Sequence, residues 1–184
     1  MVRMRLPTNA DEAAVLEWRN SPEVAPFMYR DDPISPEEHA LWFKKVLNVP
    51  NKSVYRIVEH GGKSAGFSSL THINDRHKSC EWGGYLAPNT GRGEGIGRAV
   101  VFLALELAFH DLLLNRVTVE VLIENKNALR LYESIGFKRE GLHRERAWHA
   151  SGPKDVVCLA ILASEWEEIK DHLKDQLQSR NLIS

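Results

Sequence analysis

The chain has 184 residues, the length of one domain spanning 1–184, and at 43% hydrophobic and 27% charged it can bury a core without disulfide or metal support. Lys and Arg number 24 against 25 Asp and Glu, a net charge of −1. That balance argues against a protein built to coat nucleic acid and gives no reason to expect binding to an anionic membrane.

The opening MVRMRLP lacks the apolar core of a signal peptide, and a short strand is expected at 3–6. Asn9 reads as the cap of a helix over about 10–19, which Ser21-Pro22 ends. Ser35, Pro36 and Glu38 supply an N-cap, a first-turn proline and a capping box for a second helix over about 36–48. Strands are expected at about 53–59, 64–73 and 79–87, the first two joined by a Gly61-Gly62 turn. Residues 88–97 form a glycine-rich loop that enters a helix over about 95–110, with Ile96, Val100, Leu103, Ala104 and Leu107 as its buried stripe. This is the most apolar part of the chain, yet Arg98, Glu106, His110 and Asp111 exclude a membrane span, and a cytoplasmic location is expected.

A strand at 116–123 alternates Val117, Val119, Val121 and Ile123, and a helix at about 126–134 is ended by Gly136. Strands follow at about 137–147 and 155–162, and Ser164 with Glu167 opens a C-terminal helix to about 178. Trp166, Ile169, Leu173 and Leu177 on that helix read as core packing. The order β-α-α-β-β-β-α-β-α-β-β-α predicts an α/β (α+β) fold: a mixed six- to seven-stranded sheet flanked by helices on both faces. Cys80 and Cys158 form no CxxC, and the pairs His72/His77 and His143/His149 lack ligand spacing with cysteines, so no metal is expected.

The loop Gly91-Arg92-Gly93-Glu94-Gly95-Ile96-Gly97-Arg98 follows a strand and opens a helix, where bare backbone N–H groups and the helix dipole suit a phosphate. It is not a dinucleotide fingerprint: GxGxxG from Gly91 would need glycine where Ile96 stands, and from Gly93 where Arg98 stands. It is not a P-loop either, since no Gly-Lys pair follows. A bare RxxGxG is also compatible with a plain tight turn.

About 30 residues on comes Asn125-Lys126-Asn127-Ala128-Leu129-Arg130-Leu131-Tyr132-Glu133-Ser134-Ile135-Gly136-Phe137. The series strand, RxxGxG, helix, strand, N-x-x-A-x-x-L-Y-E-x-x-G-F resembles the GNAT superfamily of acetyl-CoA-dependent N-acetyltransferases, most closely over 79–137. The resemblance implies a coenzyme A pyrophosphate on Arg92, Gly93, Glu94, Gly95, Ile96, Gly97 and Arg98, and pantetheine along the backbone of Tyr85, Leu86 and Ala87. It also places Asn125 on the pantetheine arm and Tyr132 beside the sulfur as the proton donor to the departing thiolate. The other reading of Tyr132 is a core residue beside Leu129 and Leu131. Direct transfer to an amine needs a base, for which Glu81 and Glu120 are the candidates; each may equally be read as a solvated strand charge. Glu120 occupies the place of a catalytic Glu in some protein N-terminal acetyltransferases of the superfamily.

For the acceptor, the residues Trp18-Arg19-Asn20-Ser21-Pro22-Glu23-Val24, Glu37-Glu38-His39 and Lys78-Ser79-Cys80-Glu81-Trp82-Gly83 resemble the sugar N-acetyltransferases of the pseudaminic acid pathway. These act on the 4-amino group of a UDP-linked 4-amino-4,6-dideoxy sugar, so the small-molecule partner implied is a nucleotide sugar. Arg19 and Lys78 would meet its diphosphate, Asn20 and His39 would hydrogen-bond it, and Tyr85 or Trp42 would stack on a ring. Each has an ordinary structural reading as well, in helix ends and packing. The segment Leu159–Trp166 resembles the ribosomal-protein and polyamine branch instead, and Asp11, Glu12, Asp31, Asp32, Glu37 and Glu38 are enough for the acidic pocket a polyamine would want. A sensor that holds acetyl-CoA without transferring it would be expected to lack Tyr132 and Asn125; both are present. The resemblance leaves room for a homodimer.

Overall fold

The computed structural model describes residues 1–48, 52–91 and 93–184. Seven strands form one mixed sheet: β1 (Val2–Arg5), β2 (Val54–His60), β3 (Lys63–Asn74), β4 (Ser79–Leu86), β5 (Arg116–Leu122), β6 (Lys138–His149) and β7 (Gly152–Leu162), in the order β1-β2-β3-β4-β5-β7-β6. The first four strands are an antiparallel meander, with Gly61 and Gly62 both at positive φ in the β2–β3 turn. The crossover from β4 through α3 (Ile96–Glu106) returns β5 parallel to β4, and β7 pairs antiparallel with both β5 and β6. The expected element order is the one observed.

Period-2 alternation assigns the two sheet faces. Val117, Val119 and Val121 of β5 and Cys80 and Trp82 of β4 face the larger core, closed by α3, α4 (Lys126–Ile135) and α5 (Ala163–Ser179) through Val101, Leu105, Tyr132 and Trp166. Tyr85 and Ala87 face the other way, into a smaller core with Val15 and Trp18 of α1 (Glu12–Arg19) and Phe43 and Val46 of α2 (Pro36–Leu47). The stripe on α5 packs inward as expected, with Trp166, Leu173 and Leu177 all buried.

Two caps differ from expectation. A 3-10 turn at Asn9–Asp11 precedes α1, and Thr8 rather than Asn9 caps it, its N–H and Oγ1 both donating to Asp11 Oδ2 (2.8 and 2.9 Å). Helix α5 starts at Ala163, so Glu165, not the Ser164/Glu167 pair, closes its first turn by accepting from Leu162 N–H (2.9 Å).

The β4/β5 ladder runs only through Ser79–Arg116, Cys80–Val117 and Glu81–Thr118. Both strands then continue, to Leu86 and Leu122, without pairing with each other, while their outer sides stay paired to β3 and β7. The strands splay into a V whose inner rims carry unmatched backbone donors and acceptors.

Candidate active site

The V opens into a cavity of about 1100 Å³. Its floor is Gly84, Tyr85 and Leu86 of β4 with the glycine loop, and one wall is Asn125, Asn127, Ala128 and Leu131 around the start of α4. Val24, Phe27 and Met28 line it on the α1–α2 side, and Gln176, Ser179 and Arg180 come from the end of α5.

The anion-binding end is built by a missing cap. Helices α2 and α4 have side-chain caps: Ser35 Oγ accepts from Glu38 N–H (3.2 Å), and Asn125 Oδ1 from Ala128 N–H (3.1 Å). Helix α3 begins after Gly95, at φ 89°, with no side chain on its first amides. The N–H groups of Ile96, Gly97 and Arg98 therefore meet the cavity bare, at the positive end of the helix dipole. A Cβ at Gly95 would lie 2.9 Å from Leu182 Cδ1 and 3.6 Å from Arg180 Nη1, which sets the Arg180 guanidinium beside this helix end. Arg98 also lines the cavity; its Nη2 donates to Ser134 Oγ (2.8 Å).

At the apex of the V, the two faces differ in chemistry. On the α3/α4 face Tyr132 is buried, edge-on to Trp82 (5.5 Å between centroids) and against Phe137. Burial holds its phenol well above the ordinary tyrosine range, so it stays protonated through neutral pH. On the opposite face stand two carboxylates. Glu81 is the last paired residue of β4 and lies 3.2 Å from His72 Nδ1. Glu120 is two residues beyond the last pair on β5; the Tyr29 hydroxyl donates to its Oε2. Burial and the Glu120 carboxylate push the Tyr29 phenol up, and Arg146 lies 5.4 Å over its ring. The loop carrying Tyr29 is tied down from β6, where the buried His149 meets Met28 O through Nε2 (2.8 Å).

A splayed β4/β5 pair with an uncapped glycine loop at its mouth matches known proteins closely. The profile of the acetyltransferase (GNAT) domain family covers residues 2–138. This chain belongs to the GNAT acetyltransferases. It is 31% identical over 123 residues to acetyltransferase PseH of Campylobacter jejuni, covering 67% of this chain and 74% of that protein. It is 33% identical over 111 residues to spermidine N(1)-acetyltransferase of Vibrio cholerae, covering 60% of this chain and 64% of that one. Among crystal structures, the Vibrio cholerae spermidine N-acetyltransferase in complex with CoA and spermine superposes with a TM-score of 0.82 at 27% identity, covering 90% of this chain and 98% of the other. The protein is thus an acetyl-CoA-dependent N-acetyltransferase with a small-molecule amine acceptor.

In this acetyltransferase Tyr85, Leu86, Gly93, Gly95, Ile96, Gly97, Arg98 and Asn125 all line the cavity. Tyr132, Ala87 and Glu94 do not line it, and Arg92 lies outside the described residues. Of the expected acceptor residues Tyr85 lines the cavity, and Arg19, Asn20, His39 and Lys78 do not. His39 is buried, stacked on Phe43, with Nε2 on Glu12 O (2.9 Å). Asn20 spends both ends of its amide on Ile34, at 2.8 and 2.9 Å. Lys78 sits in the β3–β4 turn at the closed end of the ladder, away from the cavity. Arg19 keeps a free donor: Nη2 binds Arg30 O (2.6 Å), while Nη1 is buried without a partner. Arg180 also lines the cavity, from a segment where no sequence motif points to it.

Proposed function

We propose that this acetyltransferase acts on the 4-amino group of a UDP-linked 4-amino-4,6-dideoxy sugar, as in pseudaminic acid biosynthesis. The observation that carries the acceptor is the buried, unpartnered Nη1 of Arg19. Of the six acidic residues a polyamine pocket would draw on, Asp11 is held by Arg5 (2.6 Å) and Asp32 and Glu38 by Arg30 (3.0 and 2.6 Å), whereas Glu12 and Glu37 have no ion-pair partner among the described residues. The unpartnered Arg19 Nη1 favours an acceptor that brings negative charge, such as a diphosphate. The relationship to PseH points the same way. The resemblance to a spermidine enzyme whose crystal structure holds spermine keeps polyamine acetylation as the second reading.

For the cofactor, the amides of Gly93, Ile96, Gly97 and Arg98 would take the pyrophosphate, with Arg98 and Arg180 as counter-charges. The inner rim of β4 at Tyr85 and Leu86 would pair with the pantetheine amides as an added strand, whereas Ala87 already spends its N–H on Ala65 O (2.8 Å) and its carbonyl on Thr90 N–H (3.2 Å). The amine nitrogen attacks the thioester carbonyl carbon and the C–S bond breaks. The amine proton passes to Glu120, with Glu81 as the alternative base, directly or through one water. The thiolate takes a proton from Tyr132. Acid and base lie on opposite faces of the sheet, so the gap between β4 and β5 is where the two proton transfers meet.

CoA-thiol release by the purified protein with acetyl-CoA tests this against three acceptors: the UDP-4-amino sugar, an N-terminal ribosomal peptide and spermidine. Release with the sugar alone is expected. Turnover with spermidine or peptide alone would overturn the acceptor and leave the cofactor site standing.

A further inference from the structure

Three side chains far apart in the sequence converge beside the acceptor face. Glu120 of β5 is in register with Cys158 of β7, so both point to the same side of the sheet. His143 of β6 reaches them from the outer strand: its Nδ1 lies 3.4 Å from Cys158 Sγ and 3.7 Å from Glu120 Oε1. All three donor atoms lie within 4.8 Å of one another. Oxygen, nitrogen and sulfur ligands at roughly 2.0–2.3 Å from a tetrahedral ion sit about 3.3–3.6 Å apart. The two measured separations fall at or just beyond that range, within the reach of a small rotation of the half-exposed His143 side chain.

The carboxylate is already oriented for the role. The Tyr29 hydroxyl takes Glu120 Oε2, which leaves Oε1 turned toward His143 and Cys158. A hydrogen bond that fixes one carboxylate oxygen while the other ligates is how outer residues orient metal ligands.

We propose that Glu120, His143 and Cys158 form a binding site for a soft divalent cation of the Zn²⁺ type, with the fourth position open toward the acceptor. On binding, the Cys158 thiol gives its proton to solvent and the sulfur becomes a thiolate ligand. A second consequence rests on the reading of Glu120 as the base: an ion held there occupies the carboxylate and blocks proton removal, so the metal acts as an inhibitor.

Co²⁺ added to the metal-free protein is the direct probe, because a thiolate ligand gives a charge-transfer band in the near ultraviolet. The expected result is a band saturating at one equivalent, displaced by Zn²⁺, and lost in Cys158→Ser and in His143→Ala. Cys80 is buried and cannot substitute. Absence of the band, or its persistence in Cys158→Ser, overturns the site. Circular dichroism of each variant checks that it folds. In turnover assays Zn²⁺ is expected to lower the rate at least tenfold in the parent protein, an effect lost in Cys158→Ser. A bound ion with undiminished turnover upholds the site and removes Glu120 from the role of base.

Discussion

In the proposed mechanism Tyr132 and Glu120 divide the proton traffic, and their surroundings suit opposite tasks. A phenol kept protonated by burial can only give a proton, and a carboxylate on the wetter face can take one. Tyr132→Phe is therefore expected to lower kcat about 10²-fold while leaving the KM for acetyl-CoA near its original value, measured by steady-state CoA release. An unchanged kcat would place the acid elsewhere. Arg180 has no ion-pair partner among the described residues, so its charge is available to the cofactor phosphates. Arg180→Ala should raise the KM for acetyl-CoA about three- to tenfold with kcat unchanged, an effect that shrinks with added salt. The residues proposed for the cofactor were legible in the sequence because their spacing is a backbone requirement: glycines at fixed offsets free the amides of one helix end. The acceptor residues were not. Arg19, Asn20, His39 and Lys78 have side chains able to bind a nucleotide sugar, but composition says nothing of partners already taken, such as Ile34 for Asn20 or Glu12 for His39. The Glu120–His143–Cys158 cluster was hidden for a related reason. Its spacing exists only across three strands, through registers no linear pattern reveals.

Helices α4 and α3 start differently, one under a side-chain cap and the other without one. Where a helix only needs to begin, a side chain closes it, as Asn125 does for α4. Asn125→Ala should cost about 1 kcal/mol, read as a fall of about 2–4 °C in Tm. At α3, where the proposed cofactor site lies, the helix end is bare behind a left-handed glycine. Gly95→Ala forces a side chain into that conformation and against Leu182, a cost of about 1–2 kcal/mol that should appear as weaker acetyl-CoA binding in calorimetry. Strand and helix order followed from periodicity and turn residues alone. The caps at Thr8 and Glu165 did not, because several hydroxyls and carboxylates lie within a turn of each helix start and tertiary geometry selects among them.

At the scale of the whole molecule, an ion-pair cluster ties the first strand to the rest. Arg5 binds the buried Asp11 through two nitrogens (2.6 and 2.7 Å) and Glu59 of β2 through Nε (2.7 Å). The guanidinium holds the Asp11 carboxyl down at about 2, against 3.8 in the unfolded chain. A depressed carboxyl stabilises the fold above its unfolded pKa, and the contribution is lost as pH falls from about 4 toward 2. About 1–2 kcal/mol should disappear in that window, allowing for the partial exposure of Arg5. Urea titrations of Asp11→Asn across pH 2–6 should show a flatter acid limb than the parent protein.

The splayed strands make the sheet, in mechanical terms, two panels on a short hinge. Four strands on one side and three on the other are joined directly by only three residue pairs. The free rims of β4 and β5 should therefore be the quickest part of the sheet to exchange their amide hydrogens. A bound acetyl-CoA arm would act as the missing lath, slowing exchange at Gly83–Leu86 while the outer strands keep their own pace. The clock of this sheet would then report occupancy, with no turnover required.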